Sequence, residues 1–145
     1  MDFTWLSRWQ PQLLALLRIV AGLLFLEHAT VKFFAFPVPF QVPGPLPTIL
    51  VAAGVVELVC GLLITFGLLT RLAAFIASGE MAVAYFMMHF PKSPWPVANM
   101  GEGAILYCFI FLLIAAAGAG PWSIDASLGR QAPRDRQPVD GNPPL

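Results

Sequence analysis

The stretch Gly79–Trp95 reads G-E-M-A-V-A-Y-F-M-M-H-F-P-K-S-P-W. It is an apolar segment that nevertheless carries a carboxylate, Glu80, and an imidazole, His89. On insertion scales a charged group at membrane depth costs roughly 2.5–3.5 kcal/mol, so a chain that keeps one surrounds it with partners. The oddity recurs at Glu27-His28 with Lys32, then at Glu57, then at Glu102. Each apolar segment brings a glutamate, and the rest of the chain reads as the scaffold that gathers them.

Composition points the same way. Of 145 residues 58% are hydrophobic and 11% charged, against about 25% charged in a soluble domain. Crossing about 30 Å of hydrocarbon takes roughly 20 apolar residues. Such segments lie near Gln12–Phe36, Leu46–Leu69, Thr70–Phe90 and Asn99–Gly120. They predict an all-α fold, an integral membrane four-helix bundle running up-down-up-down, and the tight Gly67–Arg71 link requires antiparallel neighbours. Residues 1–11 read as an interfacial segment, with Trp5 and Trp9 on one side at headgroup level. Residues 12–128 form the transmembrane domain. Residues 129–145 have the composition of a disordered tail. A cleaved signal peptide is disfavoured, because Arg18 interrupts the apolar run and no small-residue cleavage site follows.

Charge sets the orientation. Arg8, Arg71, Arg130, Arg134 and Arg136 flank one side and Lys92 the other, so both termini and the Gly67–Arg71 turn are expected in the cytoplasm. The stiff, proline-rich Pro37–Pro47 loop and the Pro91–Pro96 loop are then outside. Arg18, near the cytoplasmic end, reads either as a snorkelling interfacial anchor or as a functional group. The net charge is zero and no basic face stands out, so a nucleic-acid partner is excluded. Cys60 and Cys108 are not in a C-x-x-C pair and read as buried small hydrophobes, not as exchange thiols.

Helical geometry groups the polar residues. Gly54, Glu57 and Gly61 share a stripe that lets a neighbouring helix approach closely. Ala73, Ala77, Glu80 and Ala84 form a second. At 1.5 Å per residue Glu27, Glu57 and Glu80 come to one level, very roughly 15 Å below the outer surface. His28, Lys32, His89 and Glu102 lie shallower in the same half. Glu102 also suits a helix N-terminus, where the macrodipole favours an acid. Several acids beside so few cations cannot all stay ionised, and coupled groups titrate as a set. This suits a proton-handling site beside a redox carrier, a divalent metal, or a polar lock between helices. The candidate catalytic residues are Glu57, Glu80 and Glu102, and the candidate binding residues are His28, Lys32, Tyr85, His89 and Asn99. No metal is assigned, because the Glu-x-x-His pairs of di-metal bundles are missing. No cofactor motif is present either, so an electron path needs a diffusible quinone or a partner protein.

Several pieces together resemble the DoxX-like membrane proteins: R-I-V-A-G-L-L-F at Arg18–Phe25, H-A-T-V-K at His28–Lys32 and E-L-V-C-G-L-L-I-T-F-G-L-L-T-R at Glu57–Arg71. G-E-M-A-V-A-Y-F at Gly79–Phe86, N-M-G-E at Asn99–Glu102 and G-A-G-P-W-S-I-D at Gly118–Asp125 continue the match. Ala29 and Met100 stand where the family pattern usually has Gly, and Glu27 where an uncharged residue is expected. The resemblance implies a four-helix multi-pass protein of the bacterial inner membrane, since some relatives are subunits of quinone-linked oxidoreductases and others associate with redox-stress enzymes. A quinone- or thiol-linked redox subunit is therefore the leading expectation, with a redox partner protein or a homo-oligomer around it. The alternatives are a non-catalytic assembly partner and a small-molecule or proton carrier, the latter disfavoured by the lack of inverted repeats.

Overall fold

Helix α1, Gln10–Phe34, grows out of a 3-10 turn over Thr4–Trp9. Pro11 sits in its first turn, where the missing N–H has no intrahelical role. The computed structural model describes residues 3–40 and 43–130. Most of the expected tail, with Arg134 and Arg136, lies outside the described residues. Helix α2, Thr48–Phe66, ends on Gly67, whose φ of 70° lets the chain turn directly into α3, Thr70–Ala84. A π turn over Tyr85–His89 continues α3. A short helix α4, Pro96–Asn99, then precedes α5, Glu102–Ala117, and α6, Ile124–Ser127. Every regular element among the described residues is helical.

Three stretches, Thr4–Phe34, Thr48–Phe66 and Thr70–His89, are long and apolar enough to cross a membrane. The fourth apolar helix is shorter than its sequence suggests. It begins at Glu102, because Asn99 folds its side-chain oxygen onto the Gly101 amide, 2.7 Å away, and Met100 takes a left-handed φ of 59°. At 1.5 Å per residue α5 alone extends about 24 Å.

The helices pack as two antiparallel pairs, α1 with α2 and α3 with α5, joined through α2 and α3. Small residues make the first pair close. A Cβ on Gly22 would lie 2.9 Å from the Thr65 amide nitrogen, and one on Gly61 would lie 3.2 Å from the Leu26 backbone. The Gly54–Glu57–Gly61 stripe therefore faces α1. Between the pairs lies a core that includes Phe25, Ile64, Ala77, Phe111 and Ile114. Large apolar side chains such as Leu13, Val55, Phe75 and Phe109 point outward, the inside-out distribution of a surface that meets lipid.

Arg18 does not snorkel. It turns inward and is fully buried. Its guanidinium donates to the carbonyls of Ile64 and Thr65 at the end of α2, and to those of Ala119 and Trp122 beyond α5, at 2.6–2.8 Å. One side chain thus ties α1 to the ends of two other helices, where the helix macrodipole of α2 favours a cation. Asp125 completes the same end. Its carboxylate accepts from the amides of Leu69 and Thr70, at 3.0 and 2.9 Å, while its own amide donates to Gly67 O. Arg71 caps α5 by donating to the Ala115, Ala116 and Ala117 carbonyls.

Candidate functional site

At the opposite end of the α1–α2 seam, Lys32 in the last turn of α1 meets Glu57 in α2. The Lys32 ammonium donates to both carboxylate oxygens, and the two side chains are only 10% and 4% exposed. Two features of the sequence place them there. The close glycine packing brings the helices together, and Gly54 leaves room for the Lys32 stem and the Phe33 ring, which a Cβ would meet at 3.3 and 2.6 Å.

Glu80 enters from α3. Glu57 and Lys32 are its charged neighbours, yet its side chain makes no hydrogen bond among the described residues, and its Oε2 is buried without a partner. An unpaired buried carboxyl oxygen is costly, and this one lies near a closed ion pair. Glu80 also lines an apolar cavity of about 250 Å³ between α2 and α3.

His28 sits at the edge of this cluster. Its ring packs edge-on against Tyr107, 6.1 Å between centroids, and Glu57, Lys32 and Glu27 are its charged neighbours. The remaining candidates gather elsewhere. His89 stacks on Tyr85 at 6.4 Å and 18°, and its Nδ1–H donates to the Asn99 carbonyl at 2.9 Å. Because a carbonyl can only accept, this bond fixes the proton on Nδ1. Asn99 is buried, with its amide donating to Ser93 O at 2.7 Å. The Tyr85 ring abuts Gly101, where a Cβ would lie 2.7 Å from it. Tyr85, His89 and Asn99 thus order the loop between α3 and α5.

Glu27 and Glu102 are exposed and make no side-chain hydrogen bond or ion pair among the described residues. The acids do not all meet in one hollow. Among the described residues, no three of His, Cys, Asp and Glu come together in a way that could hold one metal ion. The structure converges on Lys32, Glu57 and Glu80, with His28 beside them. Sequence reasoning missed the cavity beside Glu80, whose walls come from α2, α3 and the π turn together. Cys60 and Cys108 are free, the first buried and the second half-buried beside Ser78.

The family model described as DoxX matches residues 13–90, which holds α1 from its first turn on, all of α2 and α3, and the whole Lys32–Glu57–Glu80 group. The chain belongs to the DoxX family. An uncharacterized protein of Haemophilus influenzae is 42% identical over 128 residues, covering 83% of this chain and 93% of that protein. An uncharacterized membrane protein of Mycobacterium tuberculosis is 28% identical over 141 residues, covering 84% and 85%. No solved structure matches the chain significantly. This is a DoxX-family membrane protein with apolar helices, and the matched region carries its polar centre.

Proposed function

We propose that this DoxX-family protein is a quinone- or thiol-linked redox subunit of the bacterial inner membrane. It crosses four times, up-down-up-down, with both termini in the cytoplasm. Supporting that topology, Arg71, the Arg18 clamp and Arg130 belong to one end of the bundle, while Lys92 lies in the loop at the other.

The single observation that carries the reading is the buried Lys32–Glu57 pair with the unpartnered carboxyl of Glu80 beside it. Reducing a quinone to a quinol consumes two electrons and two protons. The electrons would come from a partner protein that joins two thiols as a disulfide, a step that releases two electrons and two protons. In this reading Glu80 and Glu57 pass the protons. Lys32 holds the Glu57 carboxylate in place, and His28 adds a second group that can donate or accept. Glu102, at the first turn of α5, serves as an outer proton exchange point. Positioned general acids contribute typically 10²–10⁴-fold. Glu57→Gln and Glu80→Gln should therefore slow quinone-pool reduction in native membranes by at least about tenfold, with the protein still inserted at normal levels. Unchanged electron flow in both variants, together with no quinone binding by purified protein, contradicts the reading.

A second reading rests on the same ion pair. Lys32 and Glu57 join α1 to α2, as a polar lock in an assembly subunit would, and interhelical hydrogen bonds of this kind average about 0.6 kcal/mol. The double variant Lys32→Met, Glu57→Gln separates the two. A folded double variant that still supports full electron flow in its complex favours the lock.

A further inference from the structure

The first turn of α1, the start of α3 and the end of α5 surround a cavity of about 530 Å³. That volume falls in the range of roughly 300–1,000 Å³ typical of small-molecule sites. Two of the helix ends around it are already occupied. Asp125 accepts from the first amides of α3, and Arg71 donates to the last carbonyls of α5. Those bonds fix the Arg71 guanidinium in the wall and leave its Nε–H uncommitted among the described residues. A turn brings Arg130 to the same cavity. Gly129 takes a left-handed φ of 66° after α6, and the Arg130 amide then donates back to Asp125 O at 2.9 Å. The Arg130 guanidinium makes no hydrogen bond or ion pair among the described residues. Two arginines against one carboxylate leave the lining with a surplus positive charge.

We infer that this cavity binds the phosphate headgroup of an anionic phospholipid, with Arg71 and Arg130 donating to the phosphate oxygens. Chemistry and place both support it. A guanidinium matches phosphate geometry through paired N–H donors, and basic pockets between membrane helices at the cytoplasmic side bind anionic headgroups. Trp5, Trp9 and Trp122 are exposed at this end of the bundle, as indole rings are at headgroup level. Beside the arginines the wall turns apolar. Leu69 and Leu72 line the cavity and are 48% and 60% exposed, so acyl chains can run from the headgroup along the lipid-facing side of α3. A free phosphate carries the same charge but makes no use of that apolar wall. Both oxygens of Asp125, the acid in the lining, are taken up by amides. The leaflet that supplies the lipid is the cytoplasmic one under the orientation proposed above; the binding itself rests neither on that orientation nor on the redox reading.

Native mass spectrometry of the full chain, released from detergent micelles that contain a defined lipid, tests this without reference to orientation. Dioleoyl phosphatidylglycerol should bind at least about tenfold more tightly than dioleoyl phosphatidylcholine. Arg130→Gln should weaken phosphatidylglycerol binding about fivefold, the worth of one arginine near an anionic headgroup. Arg71→Gln should weaken it at least as much, but it also uncaps α5, so two milder variants stand beside it. Ala117→Phe, at an exposed position of the wall, fills the cavity without changing charge and should reduce binding as far as Arg130→Gln does. Arg8→Gln removes a cation at the same end that does not line the cavity, and should leave binding unchanged. Equal retention of the two lipids overturns the inference, and so does an Arg8→Gln effect as large as that of Arg130→Gln, because surface charge alone then accounts for the binding. Phosphatidylglycerol binding that Arg130→Gln and Ala117→Phe both leave intact also overturns it. Inorganic phosphate at millimolar concentration should neither raise the melting temperature nor displace the lipid. A phosphate that does either marks a site for a soluble anion and removes the lipid assignment.

Discussion

A guanidinium is tolerated inside an apolar bundle when most of its N–H groups meet carbonyls. Arg18 reaches four carbonyls on two separate segments, a geometry that a planar fork supplies and a lysine ammonium does not. Arg18→Lys leaves some of these acceptors unmet at about 1 kcal/mol or more each. We expect thermal unfolding in detergent to show a loss of roughly 2–4 kcal/mol, and a change under about 0.5 kcal/mol would refute the clamp. Met100 is the opposite case. Its φ of 59° is strained for any residue but glycine, and its side chain is 84% exposed. Met100→Gly relieves the strain and removes no packing, so it should stabilise the protein by up to about 1 kcal/mol. The same melting experiment reads it, and a destabilised variant would show that the side chain makes a contact that matters. The resemblance implies glycine at Met100, but the reason for glycine appears only in the backbone.

At the scale of elements, the end of the bundle is held by a chain segment that looks like a loop. Ser123 caps α6 by accepting from the Ala126 amide, and α6 presents Asp125 to the first amides of α3. Burial works against ionisation of Asp125. The amide hydrogen bonds from Thr70 and Leu69 and the charge of Arg130 outweigh it, and the carboxyl lies below its usual range. A folded-state value below the unfolded one means stability that is present above the unfolded value, about pH 4, and lost as pH falls through the folded value. Asp125→Asn should therefore cost about 1–2 kcal/mol at pH 7, as loss of a helix cap does. The gap between wild type and variant should shrink on acidification below about pH 4. A gap independent of pH would mean the charge plays no part. None of this latch was legible in the sequence. Asp125 and Thr70 are 55 positions apart, and periodicity within a segment carries no information about contact between segments.

For the molecule as a whole, the membrane-crossing helices were legible because apolar length and the Gly67 turn are local features. Helix rise and alternating direction put Glu57 and Glu80 at one expected level, whereas Lys32, expected shallower, joins Glu57 in an ion pair that depth alone did not foretell. Rotation about each helix axis was less legible. Glu27, expected at the same level, is exposed, and Glu102 stands exposed at the first turn of α5. The cavity at Glu80 escaped because its walls come from separate helices, an arrangement no single segment encodes. The central claim is that the Glu80–Glu57 carboxyls change protonation as the membrane carrier is reduced. Infrared difference spectroscopy on the protein in lipid, with a quinone reduced in place, tests this most directly. A carboxyl C=O signal should change on reduction and disappear in Glu80→Gln. A spectrum with no carboxyl change, or one identical in wild type and Glu80→Gln, would contradict the account.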